Sequence, residues 1–288
     1  MYKQKLSLCL SSSFGIPETE QVRLFKKVGF EGFSIDYSSK DSSIEELIRI
    51  GKEEGMIIPS FHAPFNKSDD MWNPAAIGDA AMEEMLDMLE ICARYEIPIM
   101  VTHAFIGMEP DESLIDIQTG IGRYGAVAVR ATELGIKFAL ENTEGEEYLG
   151  ILLDNLSSEE SIGFCWDTGH ELCYNRGNDM MALHGDKLIL THLNDNLGIR
   201  DYSGKITWHD DLHLLPFDGI TDWESVAQRL VSHGFDGPLN FELSKFSKPN
   251  RQENDFYADM TPERYVTAAY MRACRVAALK TAYERREK

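Results

Sequence analysis

No cysteine in the chain belongs to a Cys-x-x-Cys pair, and the five present (Cys9, Cys92, Cys165, Cys173 and Cys274) are odd in number. That argues against a disulfide framework and predicts free thiols in a reducing compartment. Long apolar runs are also missing. Leu6-Ser7-Leu8-Cys9-Leu10, ahead of Ser11-Ser12-Ser13, is too short for the usual core of a secretory leader, and no segment reaches membrane-spanning length. A cytoplasmic protein with no membrane partner is expected. Positive charge is scarce, with 28 Lys and Arg against 48 Asp and Glu and a formal net charge of −20. Such a chain has no overall attraction for nucleic-acid phosphates, which argues against a nucleic-acid partner. No Gly-x-Gly-x-x-Gly follows the first apolar run, so no nucleotide cofactor is expected. There is no low-complexity linker and no convincing short repeat, so residues 1–288 read as one domain.

What is present is alternation. Short apolar runs at Lys5–Leu10, Gly32–Asp36, Ile57–His62, Ile99–His103, Lys137–Glu141, Gly163–Asp167, Leu188–His192 and Pro238–Glu242 read as strands. Between them lie stretches with apolar residues three or four apart, such as Val22, Phe25 and Val28, or Met82, Met85, Leu89 and Cys92. Gly29, Gly55, Gly135 and Gly234 stand where these helices should stop, and a last helical pattern runs from Pro262 to about Arg286. Strands that alternate with helices pair in parallel with both sheet faces covered. Eight of them favour an α/β fold of one closed (β/α)8 barrel, a TIM barrel, over an open doubly wound sheet. The connections Leu193 to Ile220 and Leu243 to Thr261 are long, and both would lie on the C-terminal face, where such barrels keep their active sites.

Six consecutive strands end in residues able to bind metal. These are His62, His103, Glu141, Asp167 (with His170 three residues on), His192 and Glu242, while Asp211 and His213 lie in the loop after the seventh strand. Singly, each has a bland explanation: a hydrogen-bonded core histidine, a strand-end cap, an ion pair at the barrel rim. Jointly they point to a divalent cation, because several carboxylates are too costly to bury together uncompensated. Mixed imidazole and carboxylate donors suit Zn, Mn, Mg or Co. His184 and His233 fall near helix ends, where a cation suits the dipole. His209 reads as a surface residue that could reach substrate. Met180, Met181, Met82, Met85 and Met88 read as core filling. Trp72 and Trp208, in loops on the same side, are candidates to flank a substrate.

Together these residues resemble the xylose isomerase-like barrel superfamily, which joins sugar and sugar-phosphate isomerases and epimerases to the family 2 AP endonucleases. The likeness runs from the first strand to the last helix and is most specific in Leu140-Glu141-Asn142-Thr143, Asp167-Thr168-Gly169-His170, His192-Leu193-Asn194-Asp195 and Asp211 to Gly219. In the sugar branch the resemblance implies one metal held by Glu141, Asp167, His192 and Glu242. Glu141 and Glu242 would be the acid/base pair that moves a proton through a metal-stabilised enediolate, with His170 and Glu147 holding substrate hydroxyls. In the endonuclease branch it implies a three-metal cluster that adds His62, His103, His170, Asp211 and His213, used as a zinc phosphodiesterase on abasic DNA. Leu214-Leu215-Pro216-Phe217-Asp218-Gly219 leans to the sugar branch, since the endonucleases usually carry Gly-Glu-Gly there. Lys245, Lys248 and Arg251 after the last strand could meet a phosphate in either. The expected partner is a small carbohydrate, and the acidic surface with the long last loop permits a homo-oligomer.

Overall fold

The computed structural model describes residues 2–37, 43–106, 111–201 and 205–286, so residues 202–204 of the long loop after the seventh strand lie outside them. Among the described residues eight strands form one sheet: β1 Leu6–Cys9, β2 Gly32–Asp36, β3 Phe61–His62, β4 Ile99–His103, β5 Lys137–Glu141, β6 Ile162–Asp167, β7 Leu188–His192 and β8 Leu239–Phe241. Among the described residues these strands pair in parallel, and each neighbours the next in sequence, with β1 beside β8. The ring closes just beyond β7, where Leu193 N–H donates to Asn240 O (2.8 Å) and Glu242 N–H to Leu193 O (3.2 Å). The fold is a single (β/α)8 TIM barrel.

Helices fill the connections: α1 Glu18–Val28, α2 Ile44–Glu54, α3 Ala76–Tyr95, α4 Ile117–Leu134, α5 Glu146–Asn155, α6 Thr168–Cys173, α7 Met180–His184, α8 Trp223–Ser232, α9 Asp255–Ala258 and α10 Pro262–Arg286. Their apolar stripes face the sheet. Val22 and Phe25 of α1 are fully buried, as are Leu89 and Cys92 of α3, while Met85 and Met88 are nearly so. Met180 and Met181 are core residues. Gly55 and Gly135 end α2 and α4 at φ 64° and 71°, a left-handed turn that lets the chain re-enter the sheet.

Three strands are shorter than the sequence predicts, β1 by one residue at each end and two where prolines intervene. Pro59 has no N–H to give to a ladder, so Ile57 makes one bridge to Gly32 and β3 is confined to Phe61 and His62. Pro238 likewise leaves β8 to begin at Leu239.

Register decides what the barrel mouth contains. Asp36 pairs with His62, His103 with Glu141, and Asp167 with His192. Two residues below these ends, Val101, Ala139, Cys165 and Leu190 form a small dry cluster of their own. Side chains two apart on a strand share a face. The apolar plug inside the barrel and the polar ring at its mouth are therefore one continuous surface, and a one-residue slip would turn both outward.

Candidate metal centre

Nine side chains reach the C-terminal mouth. His62, His103, Glu141, Asp167 and His192 are the last residues of their strands, and Glu242 follows β8 by one. Asp167 also caps α6, its Oδ1 accepting the His170 N–H (2.6 Å). The capped first turn returns His170 to the same mouth, which is the physical content of the Asp-x-x-His spacing. Asp211 and His213 come from the loop after β7.

Glu141 is the hub. One carboxylate oxygen faces His62 Nε2 (3.1 Å) and His103 Nε2 (3.5 Å), and the other faces His170 Nδ1 (3.3 Å) and His192 Nδ1 (3.0 Å). Glu242 Oε2 approaches the same His192 Nδ1 (2.8 Å). Asp211 sits between His170 Nε2 (3.4 Å) and His213 Nε2 (2.7 Å).

The donors fall into three groups whose ligand atoms lie within 4.8 Å of one another: Glu141, Asp167, His192 and Glu242; His62, His103 and Glu141; His170, Asp211 and His213. Two observations fit these groups to divalent ions. His62 Nδ1 and His213 Nδ1 bond the carbonyls of Ala63 (2.8 Å) and Glu242 (3.2 Å), the arrangement that fixes an imidazole with its other nitrogen free to ligate. Further, Asp211 Oδ1 is buried with no hydrogen-bond partner, only His170 Nε2 at 3.4 Å, so it has a lone pair to offer a cation.

Without an ion the cluster compensates itself by sharing protons. Burial would raise Glu141, but the His192 charge and hydrogen bonds from three histidines hold it well below the usual carboxylate range. Burial also opposes ionisation of Glu242, yet His192 and His213 draw it down to about 2. Against burial, Asp211 and Glu242 lift His213 to about 8, and Asp167 and Asp211 raise His170 well above its usual value. His103 goes down, dominated by burial. Burial pushes Asp167 up to about 6, the carboxylate in most need of a cation. It also pushes the neighbouring Cys165 thiol up to about 12; Cys165 with Glu141 and His192, and Cys9 with His192 and Glu242, bring their ligand atoms equally close together.

Above the donors lies a cavity of about 510 Å³, walled by Asp36, Phe65, Ile106, Glu144, Tyr174 and Trp208 in addition to the donors other than Asp167 and His192. Trp208 stands where the sequence suggests, half-exposed at the cavity edge with Lys248 Nζ 5.7 Å from its ring. Two expected substrate contacts do not. Trp72 is fully buried away from the cavity, its Nε1–H donating to Ala104 O (2.8 Å) and its ring against Tyr124 and Tyr148, in a space that exists because Gly120 has no Cβ. Glu147 lies exposed in the first turn of α5 and lines no part of the cavity. The left-handed turn at Gly145 (φ 81°) puts Glu144 there instead. Of the basic candidates, Lys248 lines the cavity, paired to Asp211 Oδ2 (3.2 Å). Lys245 is buried against Ala258 O and Arg251 pairs with Asp210 and Glu253.

Sequence reading passed over the asparagines. Asn142 and Asn194 are wholly buried: Asn142 Oδ1 accepts the Asp167 N–H (2.8 Å) and Asn194 Nδ2 donates to Asp167 Oδ2 (2.7 Å). Asp36, which also lines the cavity, ends its strand as the candidate ligands do, and Tyr174 follows His170 by one helical turn.

The xylose isomerase-like TIM barrel family profile matches residues 22–260, and the chain belongs to that family. A probable endonuclease 4 from Methanocorpusculum labreanum is 28% identical over 162 residues, covering 49% of this chain and 56% of that protein. Among solved structures, D-psicose 3-epimerase from Clostridium cellulolyticum, determined with D-tagatose, superposes with a TM-score of 0.72 at 14% identity over 95% of this chain and 99% of that one. The IolI protein, whose structure holds a zinc atom, gives 0.73 at 17% identity over 94% and 98%. At such identities the structural likeness concerns the fold.

Proposed function

We propose that the protein is a divalent-metal-dependent isomerase or epimerase of a small sugar or sugar phosphate. One observation carries the reading: Glu141 and Glu242 approach the same His192 nitrogen, at 3.0 and 2.8 Å, on the floor of a cavity of about 510 Å³ sized for a small molecule. Glu141, Asp167, His192 and Glu242 would hold the ion, which when bound polarises substrate oxygens and stabilises the negative charge left as a carbon-bound proton departs. Glu141 and Glu242 are the proton-moving pair, one removing a proton and the other returning it. Trp208 and Phe65 offer apolar faces to the carbon skeleton, and His170 and Glu144 offer polar contacts to its hydroxyls. The epimerase among the structural neighbours supports this class.

The test is incubation of metal-loaded protein with a panel of ketoses and their phosphates in deuterated water. Deuterium should enter the carbon beside the carbonyl, at a rate falling at least about 100-fold in Glu141→Gln and Glu242→Gln. No exchange across the panel would count against the reading.

A second reading, a zinc phosphodiesterase on abasic DNA, is favoured by the two donor groups beyond the first and by the endonuclease relative. The net charge of −20 stands against it, as does the pairing of Lys248 with Asp211. Cleavage of an abasic duplex, lost on chelation, with about three zinc ions per chain, would replace the first reading with this one.

A further inference from the structure

Asp195 is fully buried, and it lies three residues beyond the ligand His192. Its charge is met by four N–H groups. Oδ1 accepts from Asn196 N (2.9 Å) and Thr221 N (2.9 Å); Oδ2 accepts from Phe217 N (2.8 Å) and Trp223 Nε1 (2.9 Å). Its own backbone makes a reciprocal bridge with Leu214, both bonds 2.9 Å, next to His213 in the chain. All but one of these partners lie between Leu214 and Trp223, directly after the Asp211–His213 pair.

The loop they fasten has further ties, from Ser244 N–H to His213 O (2.9 Å), from Leu215 N–H to Tyr257 Oη (3.1 Å) and from Arg272 to Asp218 (2.7 Å). None of these groups gathers as many of its N–H donors as Asp195. His213 (φ 49°) and Phe217 (φ 73°) both occupy the left-handed region without being glycine. Phe217 is pinned by its N–H bond to Asp195 and by the Arg275 guanidinium over its ring, 3.8 Å from the centroid. Gly219 packs so closely that a Cβ there would lie 2.3 Å from Asp195 Oδ1. At the other end, Asp211 presents a buried carboxylate oxygen with no hydrogen-bond partner, facing His170.

We propose that Asp195 is a positioning residue: its buried carboxylate holds residues 214–223 in the one conformation that presents Asp211 and His213 to His170 as an ion-binding group. This rests on the metal-binding reading of the mouth and goes beyond it, in that His170, Asp211 and His213 take a second ion besides the one held by Glu141, Asp167, His192 and Glu242. Asp195→Asn keeps the size but replaces one acceptor oxygen with an amide NH2. Two of the four donors then lose their partner, and the loop relaxes away from His170. The inner group of Glu141, Asp167, His192 and Glu242 contains no residue of that loop and keeps its ion.

The experiment is zinc titration of chelator-stripped, full-length protein against a chromophoric competitor, repeated with Co2+ to read the visible ligand-field bands. The unaltered protein, Asp195→Asn, Asp211→Asn and the double variant are compared. Asp195→Asn should weaken the zinc step that Asp211→Asn also loses, by about 10–100-fold. It should leave the other steps in place and add nothing in the Asp211→Asn background. If Asp195→Asn does not fold, Trp223→Phe removes one donor with the ring packing kept, and the same step should weaken several-fold. A titration identical to that of the unaltered protein, or losses that add in full in the double variant, overturns the proposal. A zinc step insensitive to Asp211→Asn overturns it while sparing the inner site; no zinc uptake by the unaltered protein defeats the metal reading itself.

Discussion

His213 illustrates how single residues link protons to metal. Its imidazole holds a proton up to about pH 8 in the ion-free protein, because Asp211 and Glu242 outweigh the effect of burial. A ligating nitrogen must be proton-free, so metal and proton compete. Apparent zinc affinity should therefore climb with pH, and less steeply in His213→Gln than in the unaltered protein, a difference that competition titrations between pH 6 and 9 would follow; equal slopes would sever His213 from the ion. Glu144 gives the opposite kind of case. Burial, opposed by Arg176 and helped by repulsion from Glu146, Glu147 and Asp69, lifts it to about 7. A carboxyl raised in the folded state contributes stability that is present below its unfolded value and lost as pH rises toward 7. Relative to Glu144→Gln, the unaltered protein should lose stability between about pH 4.5 and 7 and stay level above it. Urea midpoints across that range check this, and parallel curves would contradict it.

Elements, more than residues, explain what could be read in advance. β4, β5 and β7 end where the apolar runs end, because a run finishing in His or Glu leaves that residue at the mouth whatever the neighbouring helices do. β3 and β8 were legible in place but not in length, since prolines inside or before a run trim the ladder. Trp72 and Glu147 were not legible: the burial of one depends on a glycine in α4, the position of the other on a left-handed turn before α5. The same holds for Asn194, whose role appears only once β7 lies beside α6. Gly169 has no room for a side chain, as a Cβ would come within 1.9 Å of Asn194 Oδ1. Gly169→Ala should push Asn194 off Asp167, destabilise the fold by about 1–3 kcal/mol and weaken metal binding. Denaturant unfolding and zinc titration read the two effects; an unaltered titration would uncouple Asn194 from the site.

For the molecule as a whole, the parallel barrel gathers buried acids and imidazoles from six strands and a loop at one end, over a dry plug of Val101, Ala139, Cys165 and Leu190. A ligand that binds only this folded arrangement stabilises it, by about 2.7 kcal/mol at 100 times its dissociation constant. Zinc or manganese should thus raise the thermal midpoint by about 4–5 °C and a chelator should reverse it; magnesium, which prefers oxygen donors and water, should do less. That the barrel is legible from strand ends, while Glu144 and Trp208 reach the cavity from loops, follows from where the chain is constrained.

Anomalous scattering from crystals grown with zinc or manganese decides whether the strand ends form a metal centre. The expected result is a peak about 2.0–2.3 Å from donor atoms of Glu141, Asp167, His192 and Glu242. No peak at saturating metal, with Glu141 still hydrogen-bonded to its histidines, would mean that the cluster is held together by shared protons alone.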